Sequence, residues 1–447
     1  KGKGGERTDL EFDLSGPING LMAILDRPPL RFARYLDLPP SELGGTIRGT
    51  LTAKFPPVAD LALDDIEIGA SGTSHDTHIP KAAFDQDLTA GHFSFKVDKS
   101  ALKLDGEAMM AGAPVSLSGD VRFTPRAPFR SRFRLQSTVD DKARRALGFS
   151  DFPFSAEVVS GPVSIDMTAT EQLTSGTLIE VAADLSKSRL ALPLFNWQSP
   201  PGEFAAANAQ VRVVDGQIRR VDSFRVTAPQ LSVAGDAEWT GANGSSPVVN
   251  ISEFRHGAGT NLTLVAEPSS AGDYRLSIGG QRLDARGLIE TMAKPPANAG
   301  EAQSGGNDRL TVDLNIQEAQ LGSGPPLNTV RGSVLLEGDR LQAAMLGAQT
   351  EGGGQIAVEI KPDGRAALSA SDAGALLVAL GVTERLDSGA LQLNANIPPG
   401  PGAIAGTMQL RGGVLREAPF LMRLLSGDSI NPPAIAKSWE VDLMETQ

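Results

Sequence analysis

The chain has 447 residues, of which 40% are hydrophobic and 21% are charged, and its formal net charge is −12 at pH 7. This length exceeds what one hydrophobic core fills, so we expect several domains or an elongated array of repeats. The acidic balance argues against nucleic acid as the main partner, because phosphate binding needs a basic surface. Cysteine is absent, which excludes disulfides, thiolate nucleophiles and sulfur-bound metals.

The first residues, Lys1-Gly2-Lys3, offer no initiator methionine, signal peptide or membrane-spanning run. We therefore expect the chain to be an excised piece of a longer protein, with its targeting signals elsewhere. The densest apolar stretch, residues 375–380, is far shorter than the ~20 residues that span a bilayer.

The dominant pattern along the chain is strict alternation of apolar and polar residues. Examples are Val115 and Leu117 separated by Ser116, and Val163 and Ile165 separated by Ser164. Successive strand side chains point to opposite faces, so each such segment predicts a strand with one apolar and one wet face. One-sided alternation is typical of antiparallel sheets. About twenty segments of this kind predict a meander of hairpins.

Turn signals and short helical patterns punctuate the strands. Asp215-Gly216 and Asp363-Gly364 supply the positive φ that tight hairpin turns need. Short helices are predicted at 24–36, 143–147, 284–292, 372–381 and 420–425, the first interrupted by Pro28-Pro29.

The predicted strands, turns and short helices recur in a similar order along the chain, which indicates repeated units of several strands and one short helix. The segment 294–307 has no periodicity and is predicted to be a flexible linker. The predicted organisation is therefore repeated β units at 1–140, further β units at 141–293, the linker, and a C-terminal region at 308–447. The fold class is mostly β: an elongated, curved antiparallel sheet forming a groove, with tandem β-sandwiches as the alternative.

The sequence contains few residue patterns that are typical of catalytic or metal sites. His75 and His78 flank Asp76 and could approach a metal, but the segment reads better as a polar surface loop. No nucleophile elbow, phosphate-binding loop or dinucleotide fingerprint occurs. We therefore predict no catalytic residues, no metal site, no cofactor and no enzymatic activity. A local basic cluster is interpreted as a solvated face rather than a lipid or partner contact; it comprises Arg126, Arg130, Arg132, Arg134, Lys142, Arg144 and Arg145.

Three stretches resemble the AsmA-like superfamily, and within it the YhdP-type (TamB-related) envelope proteins. The first stretch, 183–202, contains Leu190-Ala191-Leu192-Pro193 followed by Trp197-Gln198-Ser199-Pro200. The second, 278–288, contains Leu283-Asp284-Ala285-Arg286. In the third, 410–426, Ala418-Pro419 begins a predicted apolar helix. The similarity is clearest from about 181 to 429. It implies a repeating β-groove of the bridge-like lipid transfer class. It further implies the periplasmic part of a Gram-negative envelope protein whose inner-membrane anchor lies in a missing N-terminal part.

The resemblance implies passive phospholipid transport between inner and outer membranes, with acyl chains against the apolar strand faces. Other envelope proteins are possible partners. The alternative is a scaffold or assembly factor for outer-membrane proteins, which would use strand edges. Periodicity alone leaves open whether the apolar residues line a groove or fill an ordinary core. The candidate groove-lining residues are Val115, Leu117, Val163, Ile165, Leu231, Val233, Leu310, Val312, Ile356, Val358, Leu391 and Leu393.

Overall fold

The protein is described by a computed structural model. It covers residues 8–25, 40–56, 66–124, 126–239, 246–269, 273–293, 309–338, 340–397, 405–415, 434–436 and 439–444. Among the described residues, strands account for 67% and helices for 8%, which confirms the prediction of a mostly β protein. The chain forms two compact units, the first from Lys1–Ala191 and Gln198–Pro229, the second from Leu192–Trp197 and Gln230–Gln447.

Alternating sequence in the first unit forms a meander of strands. In chain order its elements are β1 (Thr8–Pro17), α1 (Ile18–Leu25), β2 (Gly44–Phe55), β3 (Glu67–Ala83), β4 (Gln86–Asp98), β5 (Ala101–Met110), β6 (Ala113–Arg122), β7 (Ser131–Val139), α2 (Asp141–Ala146), β8 (Val159–Ser160), β9 (Val163–Glu171), β10 (Thr177–Asp184), β11 (Arg189–Leu192), β12 (Trp197–Ser199), β13 (Ala206–Val214) and β14 (Gln217–Ala228). Short 3-10 turns occupy Pro40–Glu42 and Pro193–Phe195.

The large sheet of the first unit is antiparallel throughout. Its order is β1–β2–β3–β4–β5–β6–β7–β9–β10–β13–β14, and β8 pairs separately with β11. Tight turns join the strands, as at Asp215 and Gly216, whose φ values of 52° and 73° are both positive. Two positive φ values suit the two-residue hairpin turn that the sequence predicts here. The helices α1 and α2 follow β1 and β7, so both lie at the same end of the strands.

The second unit repeats this construction. Its elements are β15 (Leu231–Trp239), β16 (Pro247–His256), β17 (Thr260–Pro268), β18 (Tyr274–Asp284), α3 (Arg286–Ala293), β19 (Arg309–Gln320), β20 (Leu327–Glu337), β21 (Arg340–Gln349), β22 (Gln355–Ile360), β23 (Arg365–Ala370), α4 (Ala373–Ala379), β24 (Leu386–Asp387), β25 (Ala390–Asn396), β26 (Ala405–Arg411), β27 (Gly413–Leu415), β28 (Ala434–Ala436) and β29 (Trp439–Met444).

The large sheet of the second unit runs β15–β16–β17–β18–β19–β20–β21–β22–β23–β25–β26–β29. One pair, β18 with β19, is parallel, which departs from the antiparallel prediction. A parallel neighbour requires the chain to return to the start of the strand, and such a crossover needs a dozen or so residues. The chain between Asp284 and Arg309, which begins with α3, supplies that length. In neither unit do the described strands form two face-to-face sheets, so the tandem-sandwich alternative is not the observed architecture.

Three of the predicted helices are confirmed, because they correspond to α2, α3 and α4. Asp140 and Asp372 cap α2 and α4, each accepting a hydrogen bond from the backbone N–H three residues later, at 2.8 and 3.0 Å. This is the N-cap contact that satisfies an otherwise unpaired donor. The predicted helix at 24–36 overlaps α1 only at Ile24 and Leu25; its remainder, the linker 294–307 and the helix 420–425 lie outside the described residues.

A buried arginine fastens α2 to the strand that follows it. The Arg144 side chain is only 9% exposed and its Nη2 pairs with Asp141 Oδ1 at 2.7 Å. The same guanidinium donates to the carbonyl oxygens of Gly161 at 2.8 Å and Val159 at 2.5 Å. One side chain therefore satisfies backbone acceptors that α2 would otherwise bury unpaired.

We expect Arg144→Ala to destabilise the first unit by roughly 2–4 kcal/mol, because it removes a buried, paired side chain and leaves two half-buried carbonyl groups without this donor. Arg145→Ala, on the exposed side of the same helix, is the matched control and should cost little. Urea titration with hydrogen exchange at β7 and β9 measures the difference. Equal effects of the two substitutions would contradict this account of Arg144.

Candidate functional site

The register of strand pairing in the first unit places the apolar residues on one face of the sheet. In an antiparallel ladder, directly paired residues share a face. Two neighbouring rows of paired residues define what we call the apolar face of the first unit. They are Ile47, Ser74, Phe93, Gly106, Leu117, Leu135, Met167, Val181, Ala209 and Phe224, and Leu14, Gly49, Gly72, Phe95, Leu104, Gly119, Phe133, Ala169, Ile179, Val211 and Val221.

Most side chains of this face are half-buried rather than buried. From Leu117 through Met167 and Val181 to Phe224, the first row keeps partial contact with solvent. In a sandwich, the facing sheet would bury such residues completely. Neighbouring strands lie ~4.8 Å apart, so the row from β2 to β14 measures roughly 40 Å. The first unit therefore presents a long apolar strip.

Glycines within the apolar face are overlaid by aromatic rings. A Cβ on Gly106 would lie 2.7 Å from Phe93 Cδ1, and one on Gly119 would lie 2.7 Å from Phe133 Cε1. Each ring therefore rests across the bare backbone of the neighbouring strand, an arrangement that protects strand glycines. At these two positions the aromatic ring occupies the space that a side chain would take.

One end of the strip is covered by protein. Leu88, Met110 and Val115 belong to a buried cluster against which Leu117 and Leu147, just after α2, also pack. An aromatic chain continues outward from it: the Phe149 ring lies 5.6 Å from that of Phe84 and 5.2 Å from that of Phe154. The α2 end of the strands is thus a closed core, and the middle of the strands remains accessible.

The second unit has an equivalent apolar face. Its central row is aliphatic, with glycine at two positions, and the described side chains are half-buried. It runs through Gly235, Ile251, Leu264, Ile278, Leu314, Gly332, Leu346, Val358, Leu368, Leu393, Met408 and Val441. As in the first unit, one end is closed by a helix: Leu376 of α4 is buried in a cluster with Ile356 and Leu391.

The twelve predicted lining residues fall into a buried group and a half-buried group. Five are buried, at or near the covered strand ends: Val115, Val163, Leu231, Ile356 and Leu391. Seven are half-buried, and these contribute to the accessible strips: Leu117, Ile165, Val233, Leu310, Val312, Val358 and Leu393. The candidates form six pairs of residues that lie two positions apart in the sequence, such as Val115 and Leu117. In five of these pairs the first residue is buried and the second is half-buried, because the second lies further from the covered end of the strand.

Other residues of the strips were not among the candidates. Phe93 and Phe95 alternate with His92, Ser94 and Lys96, so period two alone could have identified them. Val181 is harder to find, because Ala182 and Ala183 after it blur the alternation. Its place follows from its pairing with Met167 and Ala209.

The opposite face of the first unit, the polar face, carries ion pairs between neighbouring strands. Arg134 of β7 donates to both carboxylate oxygens of Asp166 on β9, at 2.9 and 2.5 Å. Asp222 accepts from Arg212 at 2.6 Å and lies 3.1 Å from Arg220. The second unit has similar pairs, such as Arg282 with Glu318 at 3.0 Å. Each exposed ion pair contributes little to stability, but together the pairs make one face of each sheet polar.

Two cavities lie over the polar face of the first unit. The larger, of about 900 Å³, is lined by polar-face residues that include His92, Gln136 and Asp166, and also by the predicted groove residues Val115 and Ile165. The smaller, of about 540 Å³, is lined by Lys96, Lys103, Arg132, Arg134, Asp105 and Asp120 among others. The charged and polar residues of both linings lie one residue out of phase with the apolar rows, although the smaller lining also includes Phe95 and Leu104 of the apolar face.

The histidine segment offers no metal centre in the part of the chain that is described. His75 lies edge-to-face against His92, with ring centroids 5.5 Å apart, and His78 Nε2 bonds Asp87 Oδ2 at 3.1 Å. Three or more metal-binding side chains do not converge anywhere among the described residues. Among the same residues, no helix is both long and apolar enough to traverse a bilayer.

Comparison with known proteins finds no match: no family model, no curated protein and no solved structure is similar to this chain.

The Arg134–Asp166 pair predicts a local pH dependence. The hydrogen bonds from Arg134 lower the pKa of Asp166, so the pair stabilises the fold above the ordinary aspartate pKa of about 4. That stability is lost as pH falls through the lowered value.

We expect Arg134→Gln to raise the pKa of Asp166 towards its ordinary range. The variant should be less stable than the parent at pH 7 and should differ little from it once Asp166 is protonated in both. Carboxyl-carbon NMR titration with urea midpoints at pH 7 and pH 2 measures both effects. Asp98, whose pKa is lowered by Ser100, is the internal control and should titrate unchanged; an unchanged Asp166 would refute the prediction.

Proposed function

We propose that this chain is part of a passive phospholipid carrier of the AsmA-like, bridge-type class. Acyl chains lie against the apolar faces of the two units, and headgroups remain in water. In this proposal the chain belongs to the periplasmic part of an envelope protein anchored in the inner membrane. Phospholipid moves along it between the inner and outer membranes.

The observation that carries the proposal is the half-buried apolar row in each unit. Soluble proteins rarely leave a contiguous apolar surface of more than roughly 300–600 Å² without a use for it. A bilayer's hydrocarbon core is ~30 Å thick, so a single acyl chain is ~15 Å long. A strip of roughly 40 Å therefore has room for more than one acyl chain end to end.

The chemistry of the rows suits movement as well as binding. Each methylene removed from water contributes ~0.8 kcal/mol, so ten of them contribute about 8 kcal/mol. The central row of the second unit contains no charged or hydrogen-bonding side chain. A lipid tail displaced by one strand spacing along such a row exchanges one aliphatic contact for another. Nothing in the row fixes its position, and passive sliding requires no catalytic group.

The test introduces a charge on each face of the same strand. Val181→Asp places a carboxylate in the apolar strip of the first unit, and Ala182→Asp places one on the exposed polar face beside it. The second unit offers the same comparison at Leu393 and Asn394. We expect native mass spectrometry to find phospholipid on the parent and on the polar-face variants. We expect a severalfold loss of that lipid from the apolar-face variants.

Transfer of a fluorescent phospholipid between donor and acceptor vesicles should follow the same order. Circular dichroism and thermal melting confirm that each variant folds. Lipid-free parent protein, or equal lipid content in Val181→Asp and Ala182→Asp, would contradict the proposal. A folded, lipid-free protein that binds outer-membrane protein chains would instead support a scaffold.

A further inference from the structure

The smaller cavity of the polar face concentrates positive charge in an acidic protein. Its lining includes four cationic side chains, Lys96, Lys103, Arg132 and Arg134, and two acidic ones, Asp105 and Asp120. The whole chain carries a net charge of −12, so this excess is not the by-product of a basic surface. Sequence order separates the lysines from the arginines, and only the pairing of β4 through β7 brings them together.

Two of the cations stand directly opposite each other. Lys96 of β4 pairs with Lys103 of β5, and like charges at opposite positions destabilise a sheet. Among the described residues, neither ammonium nitrogen has a carboxylate oxygen within 4.0 Å. Local rules are broken most often where a site has another use.

Two carboxylates near the cavity are engaged by arginines, whereas Asp105 of the lining has no ion pair within 4.0 Å among the described residues. Asp120, which stands between Lys103 and Arg132 in the same row, pairs with Arg122 at 2.6 Å. Asp166 is engaged by Arg134. The cavity is therefore not neutralised by the acidic groups that surround it.

Arg132 is held in place without being neutralised. Its Nε donates to Thr170 Oγ1 at 3.2 Å, and its guanidinium carbon lies 4.3 Å from the centre of the Phe129 ring. A ring stacked on the guanidinium plane orients the group and leaves its edge as a donor. An orienting contact of this kind pre-organises the arginine for an anion.

We propose that this cavity binds a phosphate-bearing ligand with two or more negative charges. Two ammonium groups and one guanidinium suit the several oxygens and the charge of such a group. The charged side chains of the site lie on the polar face, although Phe95 and Leu104 of the apolar face also line the cavity. Binding of an anion there goes beyond the proposed binding of acyl chains. The phosphate can belong to a soluble anion or to a lipid headgroup, and the experiment distinguishes these sources.

The first arm uses inorganic pyrophosphate and isothermal titration calorimetry at low ionic strength. We expect one site per chain, and Lys96→Gln and Lys103→Gln should each weaken binding by about tenfold. Lys187→Gln removes an exposed charge elsewhere in the first unit and should leave the affinity within about twofold. Affinity should also fall with added salt.

The second arm uses flotation with vesicles of phosphatidylcholine, with and without phosphatidic acid. Binding that requires phosphatidic acid and both lysines, without pyrophosphate binding, identifies a lipid headgroup as the source. Pyrophosphate binding without flotation identifies a soluble ligand. Either result supports the site.

Thermal melting without ligand separates a binding role from a structural one. Because Lys96 and Lys103 repel each other, Lys103→Gln should melt at or above the parent temperature. The proposal is overturned if that variant melts lower, if Lys187→Gln weakens binding as much as the cavity variants do, or if neither probe depends on Lys96 and Lys103. Lipid content at the apolar strip is measured separately, so failure here is distinguishable from failure of the carrier proposal.

Discussion

The structure depends on register. A strand side chain changes face at every residue, so a slip of one position in any pair would turn an apolar row towards water. Across the first unit, Leu117, Leu135 and Met167 stay aligned through three successive strands. Where an extra residue intervenes, a bulge absorbs it: Asp222 drops out of the ladder, and Val211 still meets Val221. Every other property of the sheet follows from this alignment.

Two kinds of contact maintain that alignment and leave most of the apolar side chains half-buried. On the polar face, cross-strand pairs such as Arg134 with Asp166 and Arg282 with Glu318 favour one register. At one end of the strands, α2 and α4 supply small closed cores around Val115 and Leu376. Burial is therefore concentrated at the strand ends, and the strips between them are stabilised by the sheet itself.

The two faces of the first unit offer different chemistry from the same strands. On β5, Leu104 belongs to the apolar face and its neighbours Lys103 and Asp105 to the polar face, and all three line the smaller cavity. In the two proposals, acyl chains are bound on one face of these strands and a phosphate group is bound by side chains of the other.

Alternation in the amino-acid sequence was sufficient to predict a mostly β protein and its hairpins, and short helical patterns predicted α2, α3 and α4. These features depend on residues close together in the chain: period-two patterns, an Asp-Gly turn, and the N-cap aspartates Asp140 and Asp372. The same alternation identified which face of Val115–Leu117 or Ile356–Val358 is apolar. It did not identify how far each residue is buried, because burial depends on which helix lies over the strand.

Only the tertiary structure decided the remaining features. It separated Ile356, which packs with α4, from Val358, which lies in the accessible strip. It made β18 and β19 parallel, since that choice depends on the return path of the chain and not on either strand's sequence. It also placed Lys96 and Lys103 near Arg132. Three strand pairings lie between Lys96 on β4 and Arg132 on β7, so no local sequence pattern predicts that they are close. Alternation is a property of one strand, whereas exposure and charge convergence are properties of the assembled sheet.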